Sequence, residues 1–225
     1  MRPILLFDID GTLMRVKRSF MKELIGRVIA EMRLTGETVN QTSYAGRTDR
    51  DIFSQLISSQ PDRKRVYEEL KETYIKFMYS YFTSDHADAI AGAEDLVAFA
   101  SREGYSMGLC TGNYRETAFL KVEAAGFQEC FAFGGFGCNH EDRVHLPGEA
   151  HEEYVSLNGG LTSPDPSDYI IIGDTPNDVR CARYFGARAV TVSTGDYSDD
   201  ELRRCEPDLH VRDLREVQAW LRAGK

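Results

Sequence analysis

Four aspartates fall in two close pairs, each after a short apolar run: Asp8-Ile9-Asp10-Gly11-Thr12, and Gly173-Asp174-Thr175-Pro176-Asn177-Asp178. Alternate residues of a strand share a face, so the carboxylates of Asp8 and Asp10 can converge on one point. Asp174 and Asp178 would arrive there from a second strand end, and a third apolar run ends in Thr111-Gly112-Asn113. In open parallel sheets ligands bind beyond the carboxyl ends of the strands. Anions gathered at such an edge are costly unless a hard cation neutralises them, and oxygen donors of this kind suit Mg²⁺.

The elements that must position these residues follow from the apolar patterning. Residues 3–7 read as a buried strand that opens into a turn at Asp8. Met21, Leu24, Ile25, Val28, Ile29 and Met32 then form one face of a helix. Ile52, Phe53, Leu56 and Ile57 suggest a second helix, and Val66, Leu70, Tyr74, Phe77 and Tyr81 a third. From Ile90 helix and strand alternate, which argues for a parallel sheet covered by helices. Strands are expected at 105–110, 131–133, 169–172 and 188–192, and helices at 116–125, 147–157 and 176–185, with a loop over 158–168. The fold class is therefore α/β: a Rossmann-like parallel sheet domain from residues 1–14 and 89–225, with an inserted helical unit at 15–88 that holds no convincing strand.

Composition narrows the class further. With 225 residues, 42% hydrophobic and 28% charged, the chain has the make-up of a globular protein, not of a disordered or collagen-like one. No apolar run approaches the roughly 18 residues that span a bilayer, and Asp8 and Asp10 interrupt any secretory apolar region at the start. A net charge of −9 argues against nucleic acid as partner. Five cysteines, an odd number at irregular spacing, favour reduced thiols and a cytoplasmic setting.

The ordered set Asp8-Ile9-Asp10-Gly11-Thr12-Leu13, Thr111 after an apolar strand, and Gly173-Asp174 with Asp178 resembles three of the four motifs of the haloacid dehalogenase superfamily. The helical segment before Ile90 looks like that family's inserted cap, so the resemblance spans nearly the whole chain. It implies that Asp8 is a nucleophile forming an aspartyl-phosphate, and that Asp10 protonates the leaving oxygen and then deprotonates water. Thr111 and the amides of Gly112 and Asn113 would hold the phosphoryl oxygens. Asp8, Asp174, Asp178 and the backbone carbonyl of Asp10 would hold Mg²⁺. An acid at the position of Asp10 marks the family's phosphatases and phosphomutases, whereas its dehalogenases and phosphonate hydrolases lack one. The fourth motif, a lysine, is missing, because no lysine stands between Lys121 and Lys225. Arg143 is the best substitute, and Lys121, in mid-helix, a poor second. The expected activity is Mg²⁺-dependent hydrolysis of a small phosphorylated metabolite; the nearest alternative is a sugar phosphomutase similar to β-phosphoglucomutase. A receiver-like module phosphorylated without turnover would be shorter and uncapped.

Individual residues also carry plainer readings. Asp178 stands three residues after Thr175, with Pro176 between, as in a helix capping box. Ser19 stands where a calcium loop beginning at Asp8 would need a bidentate Glu. Cys138, His140 and His145 lack the second ligand pair of a zinc site and read as a polar loop. Tyr74, Phe77, Tyr79, Tyr81 and Phe82 read as cap core. Arg47, in the turn Gly46-Arg47-Thr48-Asp49 between two cap helices, is either a solvated turn residue or a cation that meets the substrate's leaving portion.

Overall fold

The computed structural model describes residues 2–34, 44–160 and 163–224. In chain order the elements are β1 (Ile4–Phe7), β2 (Met14–Val16), α1 (Arg18–Glu31), α2 (Asp49–Leu56), α3 (Arg63–Tyr81), β3 (Ala87–Ala89), α4 (Ala93–Arg102), β4 (Met107–Thr111), α5 (Arg115–Ala124), β5 (Gly134–Phe136), α6 (Leu146–Leu157), β6 (Tyr169–Gly173), α7 (Pro176–Phe185), β7 (Arg188–Val192), α8 (Asp199–Arg204), β8 (Leu209–Val211) and α9 (Arg215–Arg222).

Six strands form a parallel sheet in the order β5-β4-β1-β6-β7-β8. Helices cover both faces, which is why the central strands are continuous apolar runs. All four residues of β1 are buried, as are Tyr169, Ile170, Ile171 and Ile172 of β6. Helix α7 shows how local sequence sets the boundaries: Thr175 and Asp178 close a capping box, Pro176 opens the first turn, and Gly186 ends the helix at φ 93°.

The segment between β1 and α4 departs from the sequence reading in one respect. It holds a two-stranded antiparallel ribbon, with Met14, Arg15 and Val16 of β2 paired to Ala89, Asp88 and Ala87 of β3. Three-residue strands carry too little alternation to register in sequence, and they pair the chain where it leaves the sheet with the chain where it returns. Beyond them α1, α2 and α3 pack together through Leu24, Val28, Phe53, Leu70, Tyr74 and Met78. Of the aromatics read as cap core, Tyr74 and Phe82 are buried, but Tyr79 and Tyr81 are 57% and 42% exposed. The buried stripe of α3 runs 66, 67, 70, 74, 78, so residue 79 falls outside it. The expected strand at 131–133 lies instead at Gly134–Phe136. The Phe133 carbonyl still accepts from the Leu109 amide at 2.9 Å at the start of this pairing, while the rings of Phe131 and Phe133 pack edge-on against Phe7 and Tyr154.

Candidate active site

Because β1 lies between β4 and β6 in the sheet, the three strand ends marked in the sequence are neighbours. Asp8 follows β1, Thr111 ends β4, and Asp174 follows β6. The Asp8 amide donates to the Ile172 carbonyl at 2.9 Å, which carries the ladder to the edge where these residues gather.

Carboxylate oxygens of Asp8, Asp174 and Asp178 lie within 4.8 Å of one another, all three side chains buried. Arg143 reaches them from a helical turn ahead of α6. Its Nη2 donates to Asp178 Oδ1 at 2.6 Å and to the Cys110 carbonyl at 3.0 Å, and forms an ion pair with Asp8 Oδ1 at 2.8 Å. Burial works against the guanidinium, but Asp178 and Asp8 more than offset it and hold Arg143 charged. The other oxygen of Asp178 accepts from the amide and hydroxyl of Thr175, at 3.0 and 2.8 Å. One carboxylate thus caps α7 and faces the cluster.

Three carboxylates against one guanidinium leave two negative charges. Burial, and then Asp8 and Asp178, push Asp174 above the usual carboxylate range. Burial pushes Asp8 up as well, against the pull of Arg143. Gly11 (φ +90°) leaves room for the cluster, since a Cβ there would lie 2.3 Å from Asp174 Oδ2. An all-oxygen donor set with two uncompensated charges fits a divalent cation.

Asp10 stands apart from this cluster. Its Oδ2 accepts from Lys121 Nζ at 2.6 Å and from Asn113 Nδ2 at 2.8 Å. Lys121 also donates to Asn113 Oδ1 at 2.7 Å, and Asn113 Nδ2 to Thr111 Oγ1 at 2.7 Å. The sequence reading ranks Lys121 a poor second to Arg143. The structure brings both in, on different carboxylates: Arg143 faces Asp8 and Lys121 faces Asp10. A signal for Lys121 did exist. The buried side of α5 is Thr117, Ala118, Lys121 and Val122, and a lysine on a buried stripe needs a partner.

In the turn before α2, Arg47 pairs within the cap. Its Nε donates to Asp51 Oδ2 at 2.6 Å and its Nη2 to Gln55 Oε1 at 3.0 Å, both partners on α2, the helix that follows the turn. The turn presents backbone and Thr48 to the sheet edge instead. Asn177 Nδ2 donates to the Gly46 carbonyl at 2.8 Å, the Asp49 amide to the Gly112 carbonyl at 2.7 Å, and Thr48 Oγ1 to the Glu141 carbonyl at 2.9 Å. A Cβ on Gly112 would sit 1.9 Å from the Arg47 carbonyl. Glycine at 112 is therefore what lets this turn close onto the strand end.

A family model described as haloacid dehalogenase-like hydrolase matches residues 5–192. The chain belongs to that family. A phosphoglycolate phosphatase of Mesorhizobium japonicum is 25% identical to this haloacid dehalogenase-like hydrolase, with 93% of this chain and 90% of the relative covered. Pyrophosphatase PpaX of Halalkalibacterium halodurans is also 25% identical, over 94% of this chain and 93% of its own. Among solved structures, β-phosphoglucomutase of Clostridium difficile shares the fold at TM-score 0.69 and 16% identity, covering 100% of this chain and 99% of the other. Among the described residues no helix is long and apolar enough to cross a membrane.

One further carboxylate of this haloacid dehalogenase-like hydrolase was invisible in the sequence. Asp49, in the first turn of α2, accepts from the Tyr114 amide at 3.0 Å. Enclosure pushes its pKa up from 3.8 to about 6, with Lys121 and the Tyr114 amide pulling it down. A carboxylate raised in the folded state is destabilising when ionised. That cost is absent below the unfolded value and fully present above the folded one. Asp49 therefore makes stability fall as pH rises from 3.8 to about 6. Asp49→Asn keeps an acceptor for Tyr114 without the charge. Its melting temperature is expected to rise by roughly 5 to 10 °C relative to the unmutated protein between pH 4 and pH 7. Parallel pH curves for the two proteins would contradict this.

Proposed function

We propose that this protein is a Mg²⁺-dependent phosphatase that hydrolyses a small phosphate monoester through an aspartyl-phosphate on Asp8. The observation that supports this most strongly is the division of carboxylates between two cations. Three buried ones gather around Arg143, while Asp10 is held separately by Lys121 with its side chain 41% exposed. An acid set beside the nucleophile is needed to expel an alkoxide, which a halide displacement does not require. The phosphoglycolate phosphatase relative supports hydrolysis over phosphoryl transfer to a sugar, since the likeness to β-phosphoglucomutase is one of fold.

Each step then has its group. Arg143 holds Asp8 Oδ1, leaving Oδ2 to attack phosphorus as the P–O bond to the alcohol breaks. Asp10 gives its proton to the departing oxygen, then takes one from water as that water attacks the phospho-aspartate. The Asp8–phosphorus bond breaks in this second displacement, and inorganic phosphate leaves. Asp8, Asp174 and Asp178, with the backbone carbonyl of Asp10, would hold Mg²⁺, which supplies charge stabilisation to the phosphoryl oxygens. Thr111, Gly112 and Asn113 line the same edge. In this reading the helical unit at 15–88 is the cap, and its turn at 46–49 shuts the site against bulk water. The five free cysteines suit a reducing, cytoplasmic setting.

The test is phosphate release from an aryl phosphate and from a panel of phosphorylated two- to six-carbon metabolites, with Mg²⁺ or with a chelator. Release is expected only with the metal. Undiminished release in chelator would overturn the Mg²⁺ assignment, and no release from any ester the phosphatase reading.

A further inference from the structure

Lys121 is 3% exposed on α5, on a face otherwise made of Thr117, Ala118 and Val122. Burying a lone ammonium is expensive, and the nucleophile's charge already has a partner in Arg143. The contacts of Lys121 are all on the acid's side of the site. Its Nζ donates to Asp10 Oδ2 at 2.6 Å and to Asn113 Oδ1 at 2.7 Å. Asn113 is then turned so that its Nδ2 donates to the same Asp10 oxygen at 2.8 Å and to Thr111 Oγ1 at 2.7 Å. The three side chains close a ring in which both donors to Asp10 land on Oδ2. Among the described residues no hydrogen bond runs to Oδ1.

From this geometry we propose that Lys121 is a positioning residue for Asp10: with Asn113 it pins one carboxyl oxygen and leaves the other free to exchange the proton. The proposal rests on the phosphatase reading above and adds to it a second cation with a separate task. Arg143 serves the attacking carboxylate and Lys121 the proton-transferring one. The ring also touches the cap. Asp49 of α2 feels the charges of both Lys121 and Asp10, and it accepts from Tyr114, the residue next to Asn113. The turn at 46–49 therefore sets a second carboxylate within reach of the Lys121 charge, beside Asp10.

A residue that acts only through Asp10 has a signature that a merely structural lysine lacks. Its loss should matter when the leaving group needs a proton and should vanish when Asp10 is already disabled. The experiment is a double-mutant cycle of Lys121→Met and Asp10→Asn, read as kcat/KM for an alkyl phosphate and for p-nitrophenyl phosphate. Asp10→Asn is expected to lose on the order of 10²- to 10⁴-fold on the alkyl ester. Lys121→Met is expected to lose roughly 10- to 100-fold on that ester and only a few-fold on the aryl one. The double variant should match Asp10→Asn alone, since residues acting as a unit are not additive. Lys121→Arg should recover part of the alkyl activity. If Lys121→Met does not melt cooperatively, the cycle is run with Lys121→Gln, which keeps one donor. Multiplying losses, or equal losses on the two esters, would overturn the proposal while leaving the phosphatase reading in place. An unmutated enzyme that releases phosphate from neither ester would overturn that reading and this one with it.

Discussion

Asp8→Asn is expected to abolish phosphate release, by on the order of 10⁴-fold or more, while the protein folds as before. A carboxamide cannot attack phosphorus, and among the described residues no other carboxylate stands where it does. Asp174 and Asp178 share its cluster but leave from β6 and α7, and Asp10 is tied to Lys121 and Asn113. The substitution keeps the side chain's volume. It also removes one of three mutually repelling, buried negative charges, and burial already pushes Asp8 towards its neutral form. Arg143 keeps Asp178 and the Cys110 carbonyl as acceptors. In chelator the variant should therefore melt at or above the temperature of the unmutated protein, because relieved repulsion outweighs one lost contact. The gain should shrink on adding Mg²⁺, which compensates the same charge. Near-normal turnover by Asp8→Asn would remove Asp8 from the nucleophile's role.

Arg143→Ala is expected to be the most damaging change to site and stability together. It leaves two buried carboxylates without the cation between them, a loss of about 3 to 5 kcal/mol by analogy with other broken buried pairs. It also takes away the charge that holds Asp8 Oδ1, with a loss of at least about 10²- to 10³-fold in kcat. Arg143→Lys should restore much of both. Among the described residues, the two hydrogen bonds and the Asp8 ion pair that Arg143 makes in the cluster all involve one nitrogen, Nη2. Its buried Nε has no partner among the described residues, so the planar fork is not what the site uses. An ammonium has three donors on one atom and can face the same three acceptors. Thermal melts with and without Mg²⁺, alongside kcat for the aryl phosphate, separate the two effects. Full activity in Arg143→Ala would mean that the compensating charge comes from elsewhere.

The chemistry of this protein lies in short-range sequence to an unusual degree, and the reason is topological. Strand ends of a parallel sheet share one edge, so an apolar run followed by Asp-x-Asp, or by Gly-Asp with a further acid one helical turn on, announces a site residue and its location together. Asp8, Asp174 and Asp178 were legible in that way, as were the parallel sheet and the helix built on Thr175-Pro176-Asn177-Asp178. What the sequence alone could not decide were distances between elements far apart in the chain. Lys121 and Asp10 are separated by 111 residues and Arg143 and Asp178 by 35, and which cation serves which carboxylate depends on how α5 and the turn ahead of α6 lean over β4. Asp49 and Arg47 make the same point from opposite sides. Both stand in one turn of the cap, with charge as their only sequence signal. Arg47 reaches forward to Asp51 and Gln55 on the helix that follows, while the meeting of that turn with Gly112 encloses Asp49 beside Asp10. Side-chain identity and local period are properties of the chain; pairing of buried charges is a property of packing, because the low dielectric that makes such pairs matter exists only once the elements have come together.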